Sequence, residues 1–84
     1  MSASAPMVAV VGLGYVGLPL VVEFGKHGPT LGFDVATDKV AKCRAGSDPS
    51  REIPDAEMAL ATHARYSDSA QDLAEAHMII VAVP

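Results

Sequence analysis

The sequence predicts an α/β fold in which helices cover both faces of a parallel sheet. Two observations support this prediction. Short apolar runs alternate with longer stretches of helical spacing, and the clearest runs are continuously apolar, as in strands buried on both faces. Half of the 84 residues are apolar and 19% are charged, which argues against a disordered chain. Since the chain has two Phe, two Tyr and no Trp, we expect a core of Val, Ala, Leu and Ile.

The first predicted strand and helix lie on either side of a glycine-rich turn. Met7–Val11 is continuously apolar and is predicted as the strand. Helical spacing begins near Val16 and continues to Lys26, and Gly28 with Pro29 ends the helix. The predicted core stripe of this helix consists of Val16, Leu20 and Phe24, thickened by Val21 and Val22.

The next unit is predicted as a short strand, a helix and a polar loop. Thr30–Phe33 is the strand, which ends at an acid. Thr37 can cap a helix over 38–45, and Gly46 closes that helix. Polar residues and two prolines indicate a surface loop over 47–54.

The last predicted elements are two short helices and two strands. A short helix is predicted over 55–62, followed by an edge strand at Ala64–Ser67. Ser69 and Asp72 have the spacing of a capping box at the start of the next helix. Continuous apolar character then predicts a second buried strand over 77–83.

In chain order, these elements predict the N-terminal half of a doubly wound parallel sheet with strand order 3-2-1-4. That order is the one found in doubly wound dinucleotide-binding domains, and right-handed crossovers place the helices on both faces of the sheet. No segment supplies strands five and six, so we expect the sequence to be part of a longer polypeptide. Residues 1–6 are predicted as a disordered leader and residues 7–84 as one partial domain.

A glycine-rich motif, Gly12-Leu13-Gly14-Tyr15-Val16-Gly17, joins the first predicted strand to the first helix. The pattern G-x-G-x-x-G in this position is the fingerprint of a Rossmann dinucleotide-binding domain. Gly12 permits the tight turn, Gly14 the approach of a pyrophosphate to the main chain, and Gly17 the packing of helix on strand. The helix start also favours an anion. Taken alone, each glycine is equally compatible with an ordinary turn that needs a positive φ.

An acid follows the motif at the distance that dinucleotide binding requires. Asp34 lies 22 residues after Gly12, where a carboxylate accepts hydrogen bonds from the adenosine ribose hydroxyls. Such a carboxylate repels a 2′-phosphate, so the sequence predicts NAD rather than NADP, with FAD as a minor competitor. Lys39 can reach the same ribose or the adenine edge, although its spacing suits a solvated surface lysine equally well. The alternative for Asp34 is an ordinary acid at the end of a strand.

The remaining reactive residues indicate no catalytic or metal site. Cys43 lies on the second predicted helix, away from the crevice, and is interpreted as a packing residue. The three histidines are not at ligand spacing from the cysteine or from carboxylates, so no metal ion is predicted. The acidic residues of the long loop are interpreted as a solvated group: Asp48, Glu52, Asp55 and Glu57.

Charge and composition disfavour several classes of function. The net charge is −4 and the six basic residues are scattered, so nucleic-acid binding is disfavoured. No apolar run reaches ~18 residues, so no membrane span is predicted. The first six residues lack the features of a secretory signal. A single cysteine fits a reducing compartment such as the cytoplasm.

Three stretches of the sequence resemble one known family: VAVVGLGYVGLPL, FGKHGPTLGFDV and ATHARYSDSAQDLAEAHMIIVAVP. They are similar to the N terminus of the UDP-glucose/GDP-mannose dehydrogenase family. The segment Gly-Tyr-Val-Gly-Leu-Pro is much more specific to this family than the general G-x-G-x-x-G motif is. Details such as Phe24-Gly25-Lys26 resemble the bacterial branch that acts on UDP-N-acetylhexosamines. Ala82 is a departure, since relatives often have Thr at this position.

The resemblance implies a nucleotide-sugar 6-dehydrogenase, in which two NAD molecules each accept one hydride from C6, through a thiohemiacetal and a thioester on a catalytic Cys. It implies a nucleotide-sugar substrate and a cytoplasmic, homo-oligomeric parent protein that makes uronic acids for surface polysaccharides. The family's catalytic residues would lie beyond Pro84, so none is predicted within this sequence. Val83 carries over as a wall of the cofactor crevice. The full set of predicted cofactor-binding residues is Gly12, Gly14, Tyr15, Val16, Gly17, Asp34, Lys39 and Val83.

Two other interpretations fit the same motif. One is the NAD-binding segment of another Rossmann dehydrogenase, of the 3-hydroxyacyl or 6-phosphogluconate type. The other is a module that senses NAD or binds a partner without catalysis. The sequence that follows residue 84 would discriminate among the three interpretations. Only the UDP-glucose/GDP-mannose dehydrogenase family requires a distant glycine-rich segment that bears one Cys.

Overall fold

The structure, a computed structural model, describes residues 6–82 and contains one parallel sheet of four strands. Their order is β3-β2-β1-β4, which confirms the predicted order 3-2-1-4. Val83 and the first five residues of the predicted leader lie outside the described residues. The strands are β1 (Val8–Val11), β2 (Thr30–Phe33), β3 (Ala64–Ser67) and β4 (Met78–Val81).

Short helices connect the strands, and their starts differ from the sequence prediction. The predicted Thr37 cap is wrong, because Ala36 occupies the cap position and donates its backbone N–H to Asp34 Oδ1 at 2.9 Å. The last helix is a 3-10 helix that Ser69 does not cap with its side chain. The helices are α1 (Gly17–Gly25), α2 (Thr37–Arg44), α3 (Asp55–Ala59) and the 3-10 helix (Ala70–Glu75).

Helix α1 packs on the sheet through only part of the predicted face. Val21 and Val22 are buried and Leu20 packs partly against the core, as predicted. However, Val16 is 65% exposed and Phe24 is 36% exposed. The reason is steric: the two glycines at the ends of α1 allow its backbone to approach the sheet, and this turns the neighbouring apolar residues inward. The buried residues of α1 are Gly17, Leu18, Val21, Val22 and Gly25.

Strand β4 is present where predicted, but it is not buried on both faces. It pairs with β1 alone among the described strands, and only Ile80 packs against the hydrophobic core. Met78, Ile79 and Val81 are each at least half exposed. The apolar run therefore predicted the strand correctly and its burial incorrectly, since burial depends on which elements lie above and below it.

The loop between α2 and α3 contains a buried carboxylate that the sequence interpretation placed in solvent. Asp48 is only 3% exposed. Its oxygens accept hydrogen bonds from the N–H and hydroxyl of Ser50 and from the N–H groups of Glu52 and Ile53, at 2.8–3.0 Å. Burial acts to raise the pKa of this carboxyl, but these hydrogen bonds outweigh it and hold the pKa below its usual value. The charge is buried because the loop's own backbone satisfies it.

Candidate functional site

The glycine-rich turn is fixed between the carboxyl ends of β1 and β2. Gly12 has φ = 106°, a conformation that favours glycine, and its N–H donates to the carbonyl of Phe33 at 2.8 Å. The next side chain, Leu13, is buried at 2% exposure and points into the core. The chain therefore anchors the turn through Leu13 and leaves the following residues at the surface.

The other two glycines of the motif serve different steric purposes. A Cβ on Gly17 would lie 1.6 Å from the carbonyl oxygen of Gly12, so only glycine lets α1 begin this close to the turn. A Cβ on Gly14 would have no atom within 4 Å. The main chain at Gly14 is thus bare towards solvent, which is the opening that a diphosphate needs.

Asp34 faces the glycine-rich turn from the end of β2. Its Oδ2 accepts the N–H of Leu13 and its Oδ1 accepts the N–H of Ala36, both at 2.9 Å. Partial burial acts to raise the pKa of this carboxyl, but the backbone hydrogen bonds and the charge of Lys39 hold the pKa below its usual value. The carboxylate is therefore ionised at neutral pH. Each oxygen keeps a lone pair for a ligand hydroxyl.

A cleft of about 700 Å³ opens over the carboxyl ends of β1, β2 and β4. Six of the eight predicted cofactor-binding residues line it, a seventh, Gly17, lies next to it, and the eighth, Val83, lies outside the described residues. Gly17 is the one of the seven that does not line the cleft, since it packs beneath the turn. The lining consists of Gly12, Leu13, Gly14, Tyr15, Val16, Asp34, Lys39, Val81 and Ala82.

The residues of this cleft fit a dinucleotide. No side chain caps the start of α1 and its first turn carries no acid, so its positive end is available to an anion. Tyr15 and Val16 are 76% and 65% exposed beside the bare main chain of Gly14. Asp34 lies across the turn and presents carboxylate oxygens to the same cleft. The arrangement can bind a diphosphate at one point and two hydroxyls at another.

Sequence reasoning missed two features of the site. One is the contact between the Leu13 N–H and Asp34, which no spacing rule reveals because it forms between the ends of two strands. The other is a recess of about 220 Å³ that Pro49 and Ser50 form with Lys39 and the glycine-rich turn. The polar character of the loop was the only available signal, and it does not say where the loop lies.

The other reactive residues do not join the cleft. Cys43 is buried, and burial together with the charges of Asp48 and Asp34 raises its pKa to about 11, so the thiol is not a nucleophile at neutral pH. Within residues 6–82, no three His, Cys, Asp or Glu side chains come together as metal ligands. No described helix is long and apolar enough to cross a membrane.

Comparison with known proteins identifies relatives along nearly the whole chain. The sequence pattern of the UDP-glucose/GDP-mannose dehydrogenase family, NAD binding domain, matches residues 6–84. A UDP-N-acetyl-D-glucosamine 6-dehydrogenase of Pseudomonas aeruginosa is 47% identical over 77 residues, which are 92% of this chain and 18% of that protein. The chain therefore spans less than a fifth of the length of this relative.

Solved structures of related proteins share the fold. A UDP-D-ManNAc dehydrogenase from Pyrococcus horikoshii superposes with a TM-score of 0.80 at 25% identity, covering 92% of this chain and 20% of that chain. The UDP-N-acetyl-mannosamine dehydrogenase Cap5O from Staphylococcus aureus has a TM-score of 0.69 at 30% identity, covering 93% and 19%. In both of these structures, the shared fold makes up about a fifth of a longer chain.

Proposed function

Since this chain belongs to the UDP-glucose/GDP-mannose dehydrogenase family, whose NAD-binding domain it matches, we propose that it is the cofactor-binding segment of a nucleotide-sugar 6-dehydrogenase. The whole protein oxidises a UDP-hexose or UDP-N-acetylhexosamine to its uronic acid, as a step towards a surface polysaccharide. The names of the relatives support the substrate class, since they are dehydrogenases of UDP-N-acetyl sugars.

The observation that supports this proposal best is the pairing of a bare main chain at Gly14 with an ionised acid at Asp34. The N–H groups around Gly14 and the start of α1 bind the diphosphate of NAD. Asp34 accepts the ribose hydroxyls and repels a 2′-phosphate, which favours NAD over NADP. Lys39 lies near Asp34 and lines the same cleft. Its positive charge helps to keep the Asp34 carboxylate ionised.

The chemistry of the proposed reaction is divided between this segment and the rest of the protein. When bound, NAD accepts a hydride from the alcohol carbon of the sugar. The residues described here bind and orient the cofactor, and Tyr15 and Val16 form walls of its cleft. The catalytic residues belong to the part of the protein beyond Pro84. We further propose that the whole protein is a cytoplasmic homo-oligomer that binds no nucleic acid or membrane.

An assay of the full-length protein tests the proposal directly. With NAD and a panel of UDP-hexoses and UDP-N-acetylhexosamines, we expect two NADH for each uronic acid formed. With NADP in place of NAD, we expect little or no turnover, because Asp34 repels the additional phosphate. Absence of turnover with every nucleotide sugar, in a protein that still binds NAD, would contradict the substrate class. Equal rates with NADP would contradict the role of Asp34.

Replacement of Asp34 by Ala tests the ribose acceptor by itself. The variant should weaken NAD binding by about 1–3 kcal/mol, because it removes an ionised acceptor from the ribose and from the N–H groups of Leu13 and Ala36. Isothermal calorimetry with NAD on the full-length protein measures the change. Asp38→Ala is the matched control, since it removes the same charge from an exposed position four residues away. An unchanged affinity in Asp34→Ala would refute this role.

A further inference from the structure

The loop between α2 and α3 continues the proposed cofactor cleft on one side. Pro49 and Ser50 line a recess of about 220 Å³ together with Leu13, Gly14, Tyr15 and Lys39. Those last four residues also line the main cleft, so the recess and the cleft are parts of one depression. Among residues 6–82, Pro49 and Ser50 are the only lining residues from outside the glycine-rich turn and α2.

The recess shares Leu13 and Lys39 with the part of the depression that Asp34 lines. Lys39, one of its walls, is near enough to Asp34 for its charge to lower the pKa of that carboxyl. Asp34 in turn contacts the glycine-rich turn through Leu13. A ligand whose ribose hydroxyls bind Asp34 therefore has Pro49 and Ser50 beside it, across Lys39.

The position of Pro49 and Ser50 is set by one buried side chain. Asp48 accepts both the N–H and the hydroxyl of Ser50 at 2.8 Å, and its other oxygen accepts the N–H groups of Glu52 and Ile53. Its backbone carbonyl accepts the N–H of Arg51, which has the strained value φ = 65°. These hydrogen bonds, all to Asp48, fix the shape of the loop. Its residues Pro49 and Ser50 face the recess.

We propose that the 47–54 loop is a third wall of the dinucleotide site, beside the adenosine ribose, the other two walls being the glycine-rich turn and the carboxyl end of β2. Asp48 is the positioning residue that holds the loop there. The inference rests on the proposed binding of NAD. The hydroxyl of Ser50 donates to Asp48 and keeps its lone pairs for a hydroxyl of the ligand. Pro49 supplies a rigid apolar surface next to it.

Ser50→Leu in the full-length protein is the primary test. Ser50 is exposed, so the larger side chain fills the recess without entering the core. We expect the Kd for NAD and the Kd for ADP-ribose to rise together by about tenfold, because both ligands carry the adenosine ribose. Ser69→Leu is the matched control, because Ser69 is also exposed and its side chain does not cap the 3-10 helix.

Asp48→Asn tests the positioning role. The amide keeps the size of the side chain but replaces one acceptor oxygen by a donor, so the loop loses hydrogen bonds to its own backbone. We expect the KM for NAD to rise about threefold or more while kcat is unchanged. A lower thermal stability with an unchanged KM for NAD would show that Asp48 is structural only and would overturn its assignment.

The outcomes separate this inference from the proposed function. If the unmodified protein binds neither NAD nor ADP-ribose, the proposed function fails. If it binds both and Ser50→Leu binds ADP-ribose with unchanged Kd, the function stands and the third wall is wrong. If Asp48→Asn does not fold, Ser50→Leu still tests whether the loop contacts the cofactor, since the side chain at position 50 lies outside the core.

Discussion

Gly14→Val is expected to raise the Kd for NAD by about 100-fold or more while the domain remains folded. A Cβ at Gly14 meets no atom within 4 Å, and its φ is not in the left-handed region, so the fold accepts a side chain there. The same space is where a diphosphate approaches the main chain. Valine branches at Cβ and covers the backbone N–H groups that would bind the phosphate oxygens. Calorimetry with NAD on the full-length protein measures the loss.

Gly28→Val is the matched control for this variant. Gly28 lies in the turn after α1, and a Cβ there also has no atom within 4 Å. The two variants add the same groups to the same residue type in open space, but only one lies in the cleft. We expect Gly28→Val to bind NAD with the affinity of the unmodified protein. Near-normal NAD affinity in Gly14→Val would show that the diphosphate does not contact this turn, and the proposed site would be wrong.

Gly17→Ala is expected to have the largest effect on stability, about 3 kcal/mol or more. The added Cβ would lie 1.6 Å from the carbonyl oxygen of Gly12, and a backbone atom cannot move aside as a flexible side chain can. Either α1 shifts away from the sheet or the turn opens, and both changes remove packing of the core. Hydrogen exchange at the amides of β1 and α1 in the full-length protein measures the free energy of opening locally.

Two other glycines make a graded series with Gly17. A Cβ on Gly25 would lie 2.7 Å from the Cβ of Ala64, whereas a Cβ on Gly28 would meet nothing within 4 Å. The loss of stability should therefore fall in the order Gly17→Ala, Gly25→Ala, Gly28→Ala. A loss in Gly28→Ala as large as that in Gly17→Ala would mean that helix propensity or the unfolded state, rather than the close approach, sets the cost.

The order of the elements and the cofactor motif could be predicted because both depend on local patterns. Continuous apolar runs identified β1 and β4, and short runs between turn residues identified β2 and β3. The strand order 3-2-1-4 then followed from the doubly wound dinucleotide-binding fold that this element order matches. The glycine-rich motif and Asp34 were recognisable because their spacing reflects the length of one strand, one helix and the next strand.

The burial of particular residues could not be predicted in the same way. Val16 and Phe24 have the spacing of a core stripe, yet they are exposed, because the glycines at both ends of α1 bring the side of the helix with Val21 and Val22 onto the sheet. Asp48 has the character of a solvated loop acid, yet it is buried because three backbone N–H groups and one hydroxyl converge on it. The spacing of apolar residues reports on a single helix or strand. The burial of a residue depends also on which side chains of neighbouring elements pack against it.

The amino-acid sequence by itself determined the type of sheet, the place of the turn and the residue types that suit a dinucleotide, since each is encoded within a few consecutive residues or one βαβ unit. Only the tertiary structure decided that Leu13 anchors the turn to Asp34 and that Pro49 and Ser50 reach the same depression. These contacts join the ends of separate elements, and the free energy that forms them comes from packing and desolvation across the domain rather than from any local preference.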